Sequence, residues 1–580
     1  MPDPGSALAA LADRYWEAYL EFRPTEATLH GDHRYDDRIE DVSADGEARQ
    51  RATWLELRAA VDAVDADALD PAGRVTQRLL REELTAAVEA IDVRETELRF
   101  DQMGGVHAEL LVTAPQIQAP TPESARALVE RQRQLPGLLD QTVDRLRAGL
   151  AAGRTPARAN VERSLNQIDK YLASPLESDP FTAYAGPVGW DGEAGWRAEL
   201  AAIVRDAVRP AFSRYRDFFA TELLPAGRPH DQAGLCWLGD GEGEALYRHF
   251  VRLHTTVDDL TAEEIHRIGL DELDRLTAEY ADVGGRLFGL TERGAIFDRL
   301  HSDPALRYGD GDEIMGDARR YLAAATAAMG DWFGRLPATP CEITAVPSAL
   351  AEDMPMAYYF PPADDRSRPG TYFVNTADPA AKNRFEAASV AYHEAIPGHH
   401  LQLAIATELD GVPAFQRLSG GHTAFVEGWG LYAERLADEM ALYAEDLERI
   451  GMLAADSWRS CRLVVDTGLH ALGWGRQQAI DFMAANAPVS RAEIEVEVDR
   501  YLGIPGQALA YKVGQREIFR LRAEAGERLG ARFDVSAFHD TVLGSASVSL
   551  PVLRQLVADW VESVVGGGPR SSAGGHVGGG

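Results

Sequence analysis

At 580 residues the chain exceeds the size at which one hydrophobic core stops growing, so two subdomains around a cleft are expected. Its 58 basic and 91 acidic residues leave a formal charge of −33, which argues against nucleic acid and anionic membranes as partners. Three widely separated cysteines, Cys236, Cys341 and Cys461, form no C-x-x-C pair and point to neither a disulfide scaffold nor a thiolate zinc site.

The first residues, Met1-Pro2-Asp3-Pro4, carry no basic n-region, and no stretch reaches the ~18 uninterrupted apolar residues of a membrane span. A cytoplasmic location is the expectation. From Ala7 to about Leu336 the apolar residues recur at helical spacing, beginning with Leu8, Leu11, Tyr15, Trp16 and Tyr19. His30 to Asp37 is a polar turn whose two His and three Asp suit a solvated loop better than a second metal site. Thr76 to Ala90 and Ala125 to Ala151 predict antiparallel helices, and Pro180 to Gly195 a loop or hinge. Thr261-Ala262-Glu263-Glu264 has the hydroxyl and carboxylate of a capping box and marks a helix start. Gly239 to Glu244 and Gly309 to Glu313 lack the endings of phosphate and calcium loops and are expected to be acidic turns.

Near Pro340 the pattern changes. Cys341 to Val346, Met356 to Phe360 and Thr371 to Asn375 are rich in β-branched and aromatic residues, which predicts a small antiparallel sheet whose last two strands form a hairpin. Its edge would offer an extended peptide a place to add as a strand. Asp378-Pro379 resembles an N-cap followed by proline at the first helical position, which would start the next helix.

That helix carries Tyr392-His393-Glu394-Ala395-Ile396-Pro397-Gly398-His399-His400. A His-Glu pair followed by further histidines supplies imidazole ligands for Zn2+ and a carboxylate, Glu394, placed to act as general base on water. Pro397 occupies the position four residues after His393, cannot ligate, and forces a kink or bulge. If Pro397-Gly398 is looped out of register, His399 becomes the second ligand. If the helix stays regular, His400 returns to the face of His393 but ~10 Å along the axis at ~1.5 Å per residue. His399 is the expected ligand and His400 the alternative. Glu427, on the next helix that the pattern predicts, is the expected third ligand. Glu434, seven residues on, shares its helical face and is placed either to orient a ligand histidine or to sit as a solvated charge.

These residues resemble a bacterial family catalogued as a domain of unknown function, number 885, with the signature H-E-x-x-P-G-H-H. Glu427-Gly428-Trp429 with Tyr432 and Glu434, Asp466-Thr467-Gly468-Leu469-His470, Arg500-Tyr501-Leu502, Pro505 to Ala508, Tyr511-Lys512 with Gly514, and the Pro24 to Asp37 segment are similar to family motifs. More distantly the family resembles the helical gluzincin peptidases, such as thimet oligopeptidase and angiotensin-converting enzyme, which enclose a zinc site in a deep channel. The resemblance implies a mainly α, bundle-like protein with a deep central channel and a small sheet beside the metal helix. Residues 1–336 would form a helical subdomain, 337–565 the zinc-containing catalytic subdomain, and 566–580 a disordered Gly-rich tail. The expected activity is a zinc metallopeptidase acting on short peptides, the alternatives being a zinc amidohydrolase on a non-peptide amide and a catalytically silent binding protein. By the same resemblance a tyrosine or histidine would stabilise the oxyanion, with Tyr511 and His470 as candidates; a tyrosine, which stays protonated at neutral pH, favours Tyr511.

Overall fold

A computed structural model describes residues 3–347, 351, 354–362, 368–418 and 421–567 of the chain. The expected tail lies outside the described residues from Gly568 onward. The protein is mainly α-helical with a single three-stranded sheet among the described residues. No helix among the described residues is long and apolar enough to cross a membrane.

The chain forms two units, the first made of residues up to 249 with 468–479 and 495–505, the second of 250–467, 480–494 and 506 onward. The boundary expected near residue 336 therefore falls at 249/250 instead. The division falls inside a helix, Glu242–Thr255, so helical periodicity holds no signal of it, and the change at Pro340 marks the entry to the sheet.

In the first unit, α1 (Pro4–Phe22), α2 (Pro71–Asp92), α3 (Pro122–Ala151) and α4 (Arg158–Ala173) start at side-chain caps or just inside a turn, and three of them open on proline. Thr121 and Ser124 close a reciprocal capping box at the start of α3. The apolar faces of α3 and α4 enclose a core that includes Leu128, Leu139, Val161, Ile168 and an aromatic group in which Tyr171 and Phe212 stand 4.6 Å apart. The His30 to Asp37 turn is less solvated than expected. Asp36 is buried, accepts the Thr28 hydroxyl at 2.6 Å and lies 2.9 Å from His33 Nδ1, while Arg131 donates to the Pro24 and Tyr35 carbonyls. A buried arginine must be hydrogen-bonded, and this turn wraps one.

In the second unit, α5 (Ala262–Phe288) begins at the Thr261 capping box, with Glu264 reaching back to the Thr261 N–H at 2.9 Å. The acidic turn at Gly309 to Glu313 starts α6 (Gly311–Ala328), where Asp310 accepts the Glu313 N–H at 2.9 Å. The sheet comprises β1 (Cys341–Ala345), β2 (Ala357–Phe360) and β3 (Gly370–Val374) in the order β1-β3-β2. β2 and β3 pair antiparallel as the hairpin, with Tyr359 opposite Tyr372, but β1 pairs with β3 in parallel, so the sheet is mixed and not antiparallel. A parallel pair needs a crossover of a dozen residues or more, and the long connection between β1 and β3 supplies it.

After the sheet come α7 (Ala387–Glu394), α8 (His399–Thr407), α9 (Thr423–Glu439), α10 (Asp446–His470, its last turn in the first unit), α11 (Ala510–Leu529) and α12 (Leu550–Val565). Asp378 does not cap α7. It takes left-handed angles, φ 47° and ψ 63°, without a capping hydrogen bond, and precedes a single 3-10 turn. α9 and α11 cross where glycines meet: a Cβ on Gly428 would stand 2.5 Å from Gly514 Cα, and one on Gly514 1.8 Å from the Ala424 carbonyl oxygen. This close approach sets α9 at the height where Glu427 faces α7.

Candidate metal centre

α7 stops one residue after His393. Ala395 leaves the helical region at φ −103° and ψ −101°, the Ile396–Pro397 bond is cis, and α8 starts at His399. The loop closes tightly over the end of α7, since a Cβ on Gly398 would stand 1.9 Å from the His393 carbonyl oxygen. From α9, the Trp429 indole N–H donates to the Pro397 carbonyl at 2.9 Å and fixes the loop from outside.

With Pro397-Gly398 out of helical register, the His393 and His399 rings stand 4.7 Å apart at 86°. Glu427 Oε2 lies 3.5 Å from His393 Nε2 and 3.6 Å from His399 Nε2. One ligand atom from each of the three residues falls within 4.8 Å of the others, and no second such group occurs among the described residues. Ligand atoms ~2.0–2.2 Å from a tetrahedral metal stand ~3.3–3.5 Å apart, so these spacings fit a zinc-sized ion. His400 is not part of the group. Its Nδ1 lies 2.9 Å from the Tyr359 hydroxyl on β2, its backbone N–H donates to Ala395 at 3.0 Å, and burial pushes its pKa down to about 4.

His393 Nδ1 is 2.8 Å from Glu434 Oε1, and Ser389 donates to the other oxygen of that carboxylate at 2.5 Å. A proton on Nδ1 leaves Nε2 as the ligand atom. Gly430 makes room for the ring: a Cβ there would come within 2.7 Å of it. His399 Nδ1 is buried with no hydrogen-bond partner among the described residues, so only one of the two histidines is held by a carboxylate.

Around the triad, burial and the neighbouring charges pull in opposite directions. Burial alone would lower the His393 pKa, but the Glu427 and Glu434 carboxylates lift it to about 9. Burial would raise Glu427, yet the two imidazoles beside it hold it well below the usual carboxylate range. Burial pushes Glu394 up, against the pull of His393 and His399, so this carboxyl is more basic than usual.

The triad opens into a pocket of about 300 Å³ that Glu394 and Tyr511 also line, together with Tyr358, Tyr359, Leu403, Val426 and Arg459. His470 is elsewhere. It lies in the first unit, where Nδ1 accepts the Leu235 N–H at 3.1 Å, Nε2 is 3.0 Å from the Tyr501 carbonyl, and the ring stacks on Tyr247. Both ring nitrogens are engaged in packing, which removes it as a donor to the pocket. The sequence reading missed Tyr358, Tyr359 and Arg459. A sequence signal existed for the last: Arg459 and Arg462 lie one helical turn apart in the largely apolar stretch of α10.

Residues 24–557 match the family described as "Bacterial protein of unknown function (DUF885)". The chain belongs to this family. A search of the curated proteins finds no match. Among solved structures, the chain is similar to "the putative lipoprotein from Colwellia psychrerythraea", with TM-score 0.89 and 25% identity over 97% of this chain and 100% of that one. It is also similar in fold to "a putative lipoprotein of unknown function from Shewanella oneidensis", with TM-score 0.74 and 19% identity over 95% of this chain and 99% of that one. The fold of this DUF885 protein is thus shared along nearly the whole length of both.

Proposed function

We propose that the protein is a zinc-dependent hydrolase, a metallopeptidase of gluzincin type acting on short peptides. The observation that carries this reading is the convergence of His393, His399 and Glu427 on one point, with Glu394 lining the same pocket. A purely structural zinc site has four protein ligands, whereas three ligands beside a free carboxylate leave a position open. Zinc bound there would supply Lewis acidity toward a carbonyl oxygen and lower the pKa of water. Glu394, which lines the same pocket, takes a proton from the attacking water and delivers it to the departing amine nitrogen. Glu434 holds the His393 ring through its Nδ1 proton. Tyr511 lines the same pocket, and its hydroxyl would donate to the developing oxyanion. Neither nucleic acid nor a membrane enters the reading, and the cytoplasmic location expected from the sequence remains part of it.

The test is a mixed peptide library incubated with the full chain, with and without chelator. Chelator-sensitive cleavage is expected, together with a Glu394→Gln protein that keeps its metal but turns over ~10²–10⁴-fold more slowly, the usual loss for a general base. Cleavage that persists without metal, or at full rate in Glu394→Gln, overturns it. If only non-peptide amides are cut, the amidohydrolase alternative takes its place.

A further inference from the structure

Arg459 is the arginine that lines the metal pocket. Arg435, on α9, is clasped by Asp456 and Glu279, and Arg286 by Asp446 and Asp282. Arg459 lines the metal pocket, yet its Nε is buried without a hydrogen-bond partner, and no carboxylate pairs with it among the described residues. Leaving a buried guanidinium donor unsatisfied is costly, so a ligand that accepts from Arg459 would gain by completing the site. Aromatic rings flank the guanidinium, with Cζ 5.1 Å from the Trp458 ring centroid and 5.9 Å from that of Tyr511, and its terminal N–H groups are the donors left for a ligand.

The remaining chemistry says what that edge meets. The pocket already contains two carboxyl groups, Glu394 and Glu427, so an anionic ligand enters only where a cation receives it. Apart from the two histidines and an ion they would hold, Arg459 is the cation of the lining, and its charge acts on Glu394 and on Glu386. A planar fork matches a carboxylate through two parallel N–H donors. The volume of about 300 Å³ lies at the low end of small-ligand pockets, and Tyr358, Leu403 and Val426 offer apolar wall for side chains.

We propose that Arg459 is the seat for the free C-terminal carboxylate of a short peptide, so that cleavage falls near that end of the chain. This rests on the hydrolase reading for its catalytic consequence but not for binding. A mixed N-acetyl tripeptide library is prepared as free acids and as C-terminal amides. Retention on zinc-loaded Glu394→Gln protein is read by ultrafiltration and mass spectrometry, and consumption by wild type is read in parallel. Free acids should be retained and consumed about 10- to 100-fold in preference to amides, the range of one or two charge-assisted hydrogen bonds. Arg459→Gln should bring the ratio to about one by weakening the acids alone, with Arg459→Lys between.

Equal handling of acids and amides by wild type overturns the proposal without any variant. So does a preference that survives Arg459→Gln, which would place the carboxylate on the metal, or an equal loss of both libraries, which would make Arg459 a positioning residue for Glu394. Acids retained but nothing consumed supports the seat and sinks the hydrolase; both libraries consumed at one rate does the reverse.

Discussion

His393 Nδ1 and Glu434 Oε1 are 2.8 Å apart, and Glu434 lies seven residues along α9 from Glu427, the acidic member of the triad. Two turns of one helix thus supply a carboxylate to each side of the same imidazole. Glu434→Ala removes the group that fixes the tautomer and leaves Ser389 without its acceptor. Metal affinity, measured by competition with a chromogenic chelator, should fall ~10–100-fold, the usual loss for such an orienting partner. An unchanged affinity would reduce Glu434 to a buried charge of no consequence for the metal.

Ligand identity has its own test. His399→Ala should lose the metal, whereas His400→Ala should keep it, because His400 spends its Nδ1 on Tyr359. Metal content per chain after dialysis decides between them, and retention by His399→Ala with loss by His400→Ala would contradict the loop geometry.

Much of this was legible in the sequence, and the misses have physical causes. The capping box at Thr261, the strands near Pro340 and the triad were readable because each depends on neighbours close in sequence or on residue types with narrow chemistry. Proline four residues after His393 left two geometries open, and the tight approach of Gly398 to the His393 carbonyl decides between them in a way spacing cannot. The parallel pairing of β1 was hidden because pairing direction depends on how the chain returns, which strand composition does not encode. His470 misled because a histidine in a distinctive stretch reads alike whether its nitrogens face a pocket or backbone groups such as Leu235 and Tyr501.

Asp456 predicts a pH effect in the second unit. Burial would raise its pKa, but Lys512 and Arg435 beside it, with Arg275, hold it well below the usual carboxylate range. Arg435 Nε donates to it at 2.8 Å, and Lys512 bonds to its other oxygen. A depressed folded pKa contributes stability that is present above the unfolded value of ~3.9 and lost as pH falls below it. Urea unfolding should show that loss below about pH 4, and Asp456→Asn should abolish this part of the pH dependence. The same variant should cost ~3–5 kcal/mol at neutral pH, because it strands buried cations. A wild-type urea midpoint for Asp456→Asn would show that the cluster is relaxed by water.

Tyr511 is the remaining residue that chemistry alone singles out. It lines the metal pocket, while the Arg462 guanidinium stands 4.5 Å from its ring centroid, so the ring is held in place by groups other than its hydroxyl. Tyr511→Phe keeps those ring contacts and removes one O–H. If that O–H donates to the oxyanion, kcat should fall ~10²–10³-fold, as for loss of a single oxyanion donor. The kcat/KM should fall by about the same factor, since the bond is made only in the transition state. Metal content and the urea midpoint should stay unchanged. A rise in KM at constant kcat would instead assign the hydroxyl to ground-state binding. A wild-type rate would remove Tyr511 from the chemistry altogether, and since both ring nitrogens of His470 are engaged in the first unit, the donor would then have to be sought among Tyr358, Tyr359 and Arg459.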